Sequence, residues 1–270
     1  MKKQKIIKLP LVETIRRSFM YTLSTPKLFL QVAALGLAAL VIEMLGGFPI
    51  LCSLGEVKCQ EGAWQTTSSL AILLISVAMI VNYCRAVILK ADIDFISLGF
   101  WKRSVKYILA TLVLGLAIIL PMLGLGIIYG MISYASGVLE PFGGAGYIII
   151  FAALVGWCIY LAPVFLIFAA ITVDDKTITI KEAYALTKGN CNKIFWGQSI
   201  MMVPGVILLY VVALIYNIIG ADMYVTDLLF TILVLALSFL DSCFKASFFA
   251  HIYQYFVFYK NKKSKEKADD

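Results

Sequence analysis

The chain alternates between long apolar runs and short polar stretches. Ile108 to Gly130 and Tyr147 to Val173 are nearly unbroken apolar segments. Backbone polar groups must bond within the chain when they lie in hydrocarbon, so such segments cross a membrane as helices of about 20 residues. A transmembrane β-barrel would instead show segments of about ten residues with alternating polarity. The pattern therefore predicts an all-α, polytopic membrane protein.

Six apolar runs reach the length of a membrane span. They predict helices over residues 28–50, 68–89, 107–131, 147–173, 194–220 and 224–249, with the last helix continuing to about 259. The six spans are expected to form three hairpins, each preceded by a cytoplasmic amphipathic helix. This six-span domain, 28–259, follows a basic N-terminal segment, 1–27, and precedes a charged tail, 260–270. Pro26 suits the first turn of a helix, where its missing N–H does no harm.

The basic residues predict how the spans are oriented. Every lysine and arginine except Lys58 lies within or beside the segments on one side of the six predicted spans. The positive-inside rule places that side in the cytoplasm. Because six spans return the chain to its starting side, both termini are expected to be cytoplasmic.

Composition excludes a soluble single-core domain. Of 270 residues, 61% are hydrophobic and only 14% are charged, whereas soluble domains carry about 25% charged residues. The net charge of +7 does not predict nucleic-acid binding, because the basic residues border spans, where they set topology and meet anionic headgroups. Anionic membrane lipids are therefore the expected partners. The distribution of charge leaves membrane-protein partners open. It also does not determine whether the chain forms a homo-oligomer.

A polar, amphipathic stretch precedes each odd-numbered span, and the three stretches align on a hydroxyl residue. These residues are Ser18, Ser104 and Thr187, spaced 86 and 83 positions apart. Asp92 and Asp175 each lie 12 residues before their hydroxyl. Two interpretations stay open: a unit of cytoplasmic amphipathic helix and transmembrane hairpin repeated three times, or the basic segments of any six-span protein with short inner loops. In both, these helices are expected in the headgroup plane.

The stretch from Val173 to Trp196 carries a degenerate motif. It contains an acidic residue, a Glu-Ala pair, a hydroxyl and a Lys-Gly turn, at Asp174 or Asp175, Glu182 with Ala183, Thr187, and Lys188 with Gly189. This motif resembles a segment shared by bacterial inner-membrane proteins of the YciC type and by the membrane domain of glycerophosphoryl diester phosphodiesterases. The resemblance implies an integral protein of a bacterial inner membrane. It implies no phosphodiesterase activity, which would reside in a separate soluble barrel.

Ionisable residues inside predicted spans are candidate functional groups. Glu43 is interpreted either as a proton or cation site of a transport pathway, or as a protonated carboxyl near the outer interface. Asp241 and Lys245 lie four residues apart, on one helical face. Together with Arg85 they are expected to form a structural ion cluster near the cytoplasmic leaflet.

Prolines and cysteines add two further hypotheses. Pro121, Pro163 and Pro204 interrupt the third, fourth and fifth spans and favour kinks, which line substrate sites in transporters but also occur in other helix bundles. Cys52 and Cys59 share the first outer loop. They form either a disulfide, if that loop faces an oxidising compartment, or two free thiols.

The motifs of common enzymes are missing from the sequence. It has one histidine, His251, and no nucleophile elbow, HExxH pair or Walker loop. We therefore expect no enzyme, no catalytic residue, no cofactor and no metal. The leading hypothesis is a non-enzymatic integral inner-membrane protein in envelope or lipid organisation, or a membrane scaffold. The alternative is a small-molecule or ion permease that uses Glu43 and the proline-kinked spans.

Overall fold

The computed structural model of the chain describes residues 8–28, 31, 61–90, 98–136, 144–219 and 224–268. Throughout these ranges the regular structure is helical, without strands, which confirms the predicted all-α class. The elements are α1 (Leu11–Ser24), α2 (Glu61–Leu89), α3 (Leu98–Ser136), α4 (Gly144–Leu161), a 3₁₀ turn (Ala162–Val164), α5 (Phe165–Thr172), α6 (Ile180–Leu186), α7 (Cys191–Ile219) and α8 (Tyr224–Ala268).

Within the described residues, three helical segments are long and apolar enough to cross a membrane. They are Trp101–Ile132, Ile148–Thr172 and Cys191–Tyr216. Leu74–Leu89 forms a shorter apolar helix. Three such segments indicate a membrane protein, as the apolar runs predict. Almost all of the predicted first span, 28–50, lies outside the described residues.

The three amphipathic stretches differ in how they join the next helix. α1 and α6 are separate helices, since Thr25 with Pro26 and Lys188 with Gly189 follow them. The second stretch has no proline or glycine between Trp101 and Tyr107, and it is continuous with the apolar part of α3. At the other end of the chain, α8 extends through most of the predicted tail to Ala268.

The buried core gathers at one end of the bundle, which we call the basic end because Lys8, Arg85, Arg103 and Lys193 lie there. α8 is its centre and packs against α1, α2, α5 and α7. Aromatic contacts join these helices, with ring centroids 4.7 Å apart for Phe19 and Phe244 and 5.1 Å for Phe165 and Phe249. The largest fully buried side chains are Tyr83, Phe248, Phe256, Leu9, Ile194 and Met201.

The apolar helices that lead away from this core are mostly exposed. Of the residues in the most apolar stretch of each candidate span, 6% are buried in Trp101–Ile132 and 17% in each of the other two. Soluble monomers rarely expose contiguous apolar surface on this scale. These faces are therefore suited to lipid or to other helices.

Helix α1 turns a hydroxyl edge toward the core. Thr14, Ser18 and Thr22 are buried, and each hydroxyl donates to the backbone carbonyl four residues earlier, at 2.8 to 3.0 Å. The apolar side chains Val12 and Leu23 lie on the other side and are 80% and 65% exposed. The outward apolar edge fits a helix that rests on acyl chains.

Candidate functional site at the basic end

An ion cluster joins three helices at the basic end. Asp174, just after α5, accepts from Arg103 of α3, with 2.9 Å between Nη1 and Oδ2. Arg85 of α2 lies 3.9 Å from the same carboxylate oxygen and donates to the carbonyl of Thr172 at 3.2 Å. Arg103 is 10% exposed at its side chain, Arg85 31% and Asp174 44%. The cluster is therefore accessible through Arg85 and Asp174.

The turn after α5 fixes the position of this carboxylate. Asp174 has a φ of 56°, a left-handed conformation that aspartate tolerates better than most residues. The backbone N–H of Asp174 bonds to Ile171 O at 3.3 Å, and that of Asp175 to Ala170 O at 3.0 Å. These bonds close the helix and leave two adjacent carboxylates at its end.

The second carboxylate ties the turn to α8. Asp175 accepts from Tyr253 Oη at 2.6 Å and from the backbone N–H of Thr177 at 2.8 Å. Burial and the nearby Asp175 charge raise the pKa of Tyr253, so this phenol stays protonated and donates. The two acidic residues of the motif thus contact different helices.

Side chains from one helix also cap the ends of others. Gln254 of α8 donates from Nε2 to the carbonyls of Val87 and Ile88, both at 3.1 Å, in the last turn of α2. These carbonyls have no partner within their own helix, because the last four of any α-helix are left open. Arg85 serves α5 in the same way through Thr172.

The segment before α1 is held at the basic end by its backbone. The N–H of Leu9 donates to Asn190 Oδ1 at 2.8 Å, and its carbonyl accepts from Lys193 Nζ at 2.9 Å. Tyr255 Oη donates to the carbonyl of Lys8 at 3.1 Å. Asn190 and Leu9 are each 1% exposed, so the first and third amphipathic stretches meet in the core.

All three aligned hydroxyl residues are buried. Ser18 and Thr187 are 0% exposed and Ser104 is 2% exposed. Ser18 Oγ and Thr187 Oγ1 each donate to the carbonyl four residues earlier, at 2.8 and 2.7 Å. Ser247 of α8 donates to the carbonyl of Ser18 at 3.2 Å. The common burial is compatible with both interpretations of the three stretches, and Asp92 lies outside the described residues.

The remaining motif residues have local structural roles. Glu182 lies in the first turn of α6, where its backbone N–H donates to Thr179 Oγ1 at 3.3 Å as an N-cap bond. Ala183 is fully buried. Lys188 is exposed, and Gly189 has a φ of 78° that favours glycine in the turn before α7.

The ions expected in one cluster belong to two groups. Asp241 and Lys245 pair with each other along α8, whereas the ion pair of Arg85 is with Asp174. Asp241 lies against Gly205 of α7, and its Oδ1 has no hydrogen-bond partner among the described residues. Sequence spacing identifies the pair within α8, but the partner of Arg85 lies 89 positions away in the chain.

Two of the prolines leave carbonyls that aromatic side chains satisfy. Pro121 lacks the N–H that would bond the carbonyl of Ala117, and Trp157 Nε1 of α4 donates to that oxygen at 2.9 Å. Tyr160 lies three residues before Pro163, and its carbonyl accepts from Tyr184 Oη at 2.8 Å. These prolines thus contribute to contacts between helices.

Glu43, Cys52 and Cys59 lie outside the described residues, so their roles remain predictions. His251 is half-buried at the basic end, with Nδ1 2.7 Å from the carbonyl of Ser247 and its ring edge against Tyr21. A small apolar void of about 10 Å³ lies between α2 and α8 beside Tyr83 and Cys243.

The sequence alone gives little indication that several of the polar residues at the basic end join helices. From the sequence, Arg103 is one of many basic residues that set the topology, and Asn190 is a residue typical of a turn. Gln254 and Tyr253 stand in the aromatic stretch FFAHIYQYFVFY. The amide of Gln254 in this aromatic stretch does indicate a contact between helices, because its donors need partners once it is buried.

Comparison of the chain with protein-family models, with curated proteins and with solved structures found no match in any of the three. The resemblance to YciC-type proteins therefore remains a prediction.

Proposed function

We propose that this chain is a non-enzymatic, six-span protein of a bacterial inner membrane that organises lipids or acts as a scaffold for other membrane proteins. The observation that carries the proposal is the division of the described bundle. A packed basic end holds the polar contacts, and the candidate spans beyond it expose their apolar faces. This arrangement offers surface to lipid and to other helices.

The polar contacts at the basic end support a structural role for this part of the bundle. Arg103 with Asp174, Tyr253 with Asp175, and Gln254 with the end of α2 each join separate helices. Contacts of this kind fix the helices relative to one another. The exposed faces are then held in a defined arrangement, as a scaffold requires.

The proposed topology places the basic end in the cytoplasm. α2 and α8 supply two further spans beside the three candidate segments, and residues 28–50 supply the first. The six spans then form three hairpins, with α1, the start of α3 and α6 at the cytoplasmic headgroups. The exposed Trp101 and Trp196 fit this interface, where aromatic residues are enriched.

Lipid organisation is tested with purified protein in vesicles that contain spin-labelled lipids. We expect a larger motionally restricted fraction for phosphatidylglycerol than for phosphatidylcholine, because basic side chains border the spans. The scaffold role is tested in cells with a photo-crosslinker at Ile127, an exposed residue of α3, and with the same group at buried Phe248 as control. Equal restriction of both lipids, together with no defined membrane-protein adduct at Ile127, would contradict the proposal.

The permease alternative is separated by a transport measurement. Glu43→Gln removes the charge with little change in shape. If the chain is a scaffold, vesicles that contain the wild type and vesicles that contain Glu43→Gln will take up or release a panel of ions and small metabolites at equal rates. A substrate whose flux depends on Glu43 would establish the permease instead.

A further inference from the structure

The ion cluster at the basic end carries more positive than negative charge. Two guanidinium groups, of Arg85 and Arg103, share the single carboxylate of Asp174. Both guanidinium groups lie within 4 Å of the same oxygen, Oδ2 of Asp174. Asp175, next in the chain, is held by Tyr253 and the Thr177 N–H. Asp174 therefore neutralises one arginine of the pair, and the other has no matching charge among the described residues.

Two buried donors, one within the cluster and one a helical turn away from it along α2, have no hydrogen-bond partner among the described residues. They are Nε of Arg103, a residue that is 8% exposed, and Nδ2 of Asn82, which is 3% exposed. Asn82 lies one turn before Arg85, so both residues are on the same face of α2. α2 and α3 pack against each other. Buried donors without acceptors are uncommon in folded proteins, and these two point to an acceptor that the described residues do not supply.

We propose that Asn82, Arg85 and Arg103 form a phosphate-binding site, here called the arginine site, with Asp174 as a competing carboxylate at its edge. The ligand is a phosphate group, either of an anionic phospholipid or of free inorganic phosphate. Guanidinium groups bind phosphate through paired hydrogen bonds. A phosphate monoester or diester would supply both the missing negative charge and several acceptor oxygens.

The exposure of the individual residues sets the direction of entry. Arg103 is nearly buried and is held in place by Asp174, whereas Arg85 has 31% of its side chain exposed. The phosphate therefore binds first to Arg85, and the charge of Asp174 limits its affinity. Binding of a phospholipid at this site rests on the proposed function, because it needs the basic end to lie among phospholipid headgroups.

The test measures binding of fluorescent phosphatidylglycerol to the purified protein in phosphatidylcholine nanodiscs. Arg85→Gln is expected to weaken binding about tenfold or more, because it removes the exposed guanidinium and its charge-assisted hydrogen bonds to the phosphate. Lys102→Gln removes the same charge from an exposed position of α3 and should change affinity less than threefold. Asp174→Asn should strengthen binding, since it removes the competing carboxylate.

A parallel arm separates the two sources of phosphate. Inorganic phosphate is titrated against the protein in nanodiscs of phosphatidylcholine alone, with sulfate as a control anion, and thermal unfolding is monitored. Stabilisation by phosphate that is lost in Arg85→Gln supports a free-anion site. Competition by excess unlabelled phosphatidylglycerol without that stabilisation supports a lipid site.

Equal weakening by Arg85→Gln and Lys102→Gln would overturn the proposal, because the interaction would then be diffuse surface attraction. Unchanged binding in Arg85→Gln would overturn it as well. Either outcome leaves the proposed function standing if restricted phosphatidylglycerol or the Ile127 adduct persists. Arg103→Lys, which keeps the buried charge, serves as a second variant if unfolding temperatures show that Arg85→Gln folds poorly.

Discussion

Single residues decide how closely the helices approach at the basic end. A Cβ on Gly197 of α7 would lie on the buried ring of Phe248 in α8 and 2.7 Å from Leu11 Cδ1 in α1. Three helices meet at this point, and the ring cannot withdraw because Phe248 is fully buried. Glycine is required here by space and not by backbone conformation.

Gly197→Ala is expected to destabilise the protein by about 1–3 kcal/mol, the usual effect of overpacking a core. Gly156→Ala is the matched control, since nothing lies within 4 Å of a Cβ at that position. Thermal unfolding in detergent, followed by circular dichroism, measures both. Equal unfolding temperatures for the two variants would show that α7 and α8 are less tightly packed than described.

His251 makes stability depend on pH. Burial and the positive charge of Arg17 lower the pKa of this imidazole, although its bond to Ser247 raises it. A lowered folded-state pKa means that the unfolded chain binds the proton more readily. The stability that depends on the neutral imidazole is therefore fully present above about pH 6.5, the ordinary pKa of histidine. It is lost as the pH falls below that value.

The unfolding temperature of the wild type should therefore decline more between pH 7 and pH 5 than that of His251→Asn, which cannot gain the charge. The difference between the two proteins isolates this histidine from the carboxylates that also titrate in this range. Parallel curves for the two proteins would assign the pH dependence to other groups.

At the scale of elements, irregular points in one helix are completed by another. Trp157 bonds the carbonyl that Pro121 leaves open, and Tyr184 bonds a carbonyl close to Pro163. Gln254 does the same for the end of α2. Such bonds matter most in hydrocarbon, where no water can replace them.

Trp157→Phe is expected to destabilise the protein by about 1–3 kcal/mol, because it leaves the carbonyl of Ala117 unpaired. In a Pro121→Ala background the same change should cost less, since the substituted alanine supplies the helical N–H that proline lacks. A double-mutant cycle of unfolding free energies measures the coupling. Additive effects would mean that the indole acts through packing alone.

Asn190 holds the N-terminal segment onto the third amphipathic stretch. Asn190→Ala leaves the buried N–H of Leu9 without its acceptor, at a cost of about 1–3 kcal/mol. Trypsin should then cleave after Lys8 faster than in the wild type. Asn192→Ala, two residues away and exposed, should leave the cleavage rate unchanged; equal acceleration in both would argue against the clamp.

At the scale of the whole molecule, polar and apolar parts are separated along the bundle. The basic end combines the buried core with the ion pairs, and the candidate spans lead away from it with their apolar faces exposed. Such a molecule is stable only where an apolar medium covers those faces. The separation explains why charge is scarce in the chain yet concentrated near the core.

The proposed topology predicts that both termini lie on the cytoplasmic side. A green fluorescent protein fused after Asp270 should fluoresce, whereas alkaline phosphatase fused there should be inactive. Fusions after residue 139, between α3 and α4, should give the reverse. The opposite result at either position would require a different number of spans.

The sequence by itself determines the helical class, the apolar segments and the side of the bundle on which basic residues gather. These depend on local properties: the hydrophobicity of consecutive residues and the spacing of charges along them. It also identifies the Asp241–Lys245 pair, since helix geometry alone brings residues four apart together.

Only the tertiary structure decides which distant groups meet. Arg85 and Arg103 converge on Asp174, Asn190 receives the backbone of Leu9, and Trp157 satisfies Ala117. Each contact joins residues at least 40 positions apart, and many side chains of the same type could have served. The choice follows from how the helices pack, because a buried polar group must find the partner that packing places beside it.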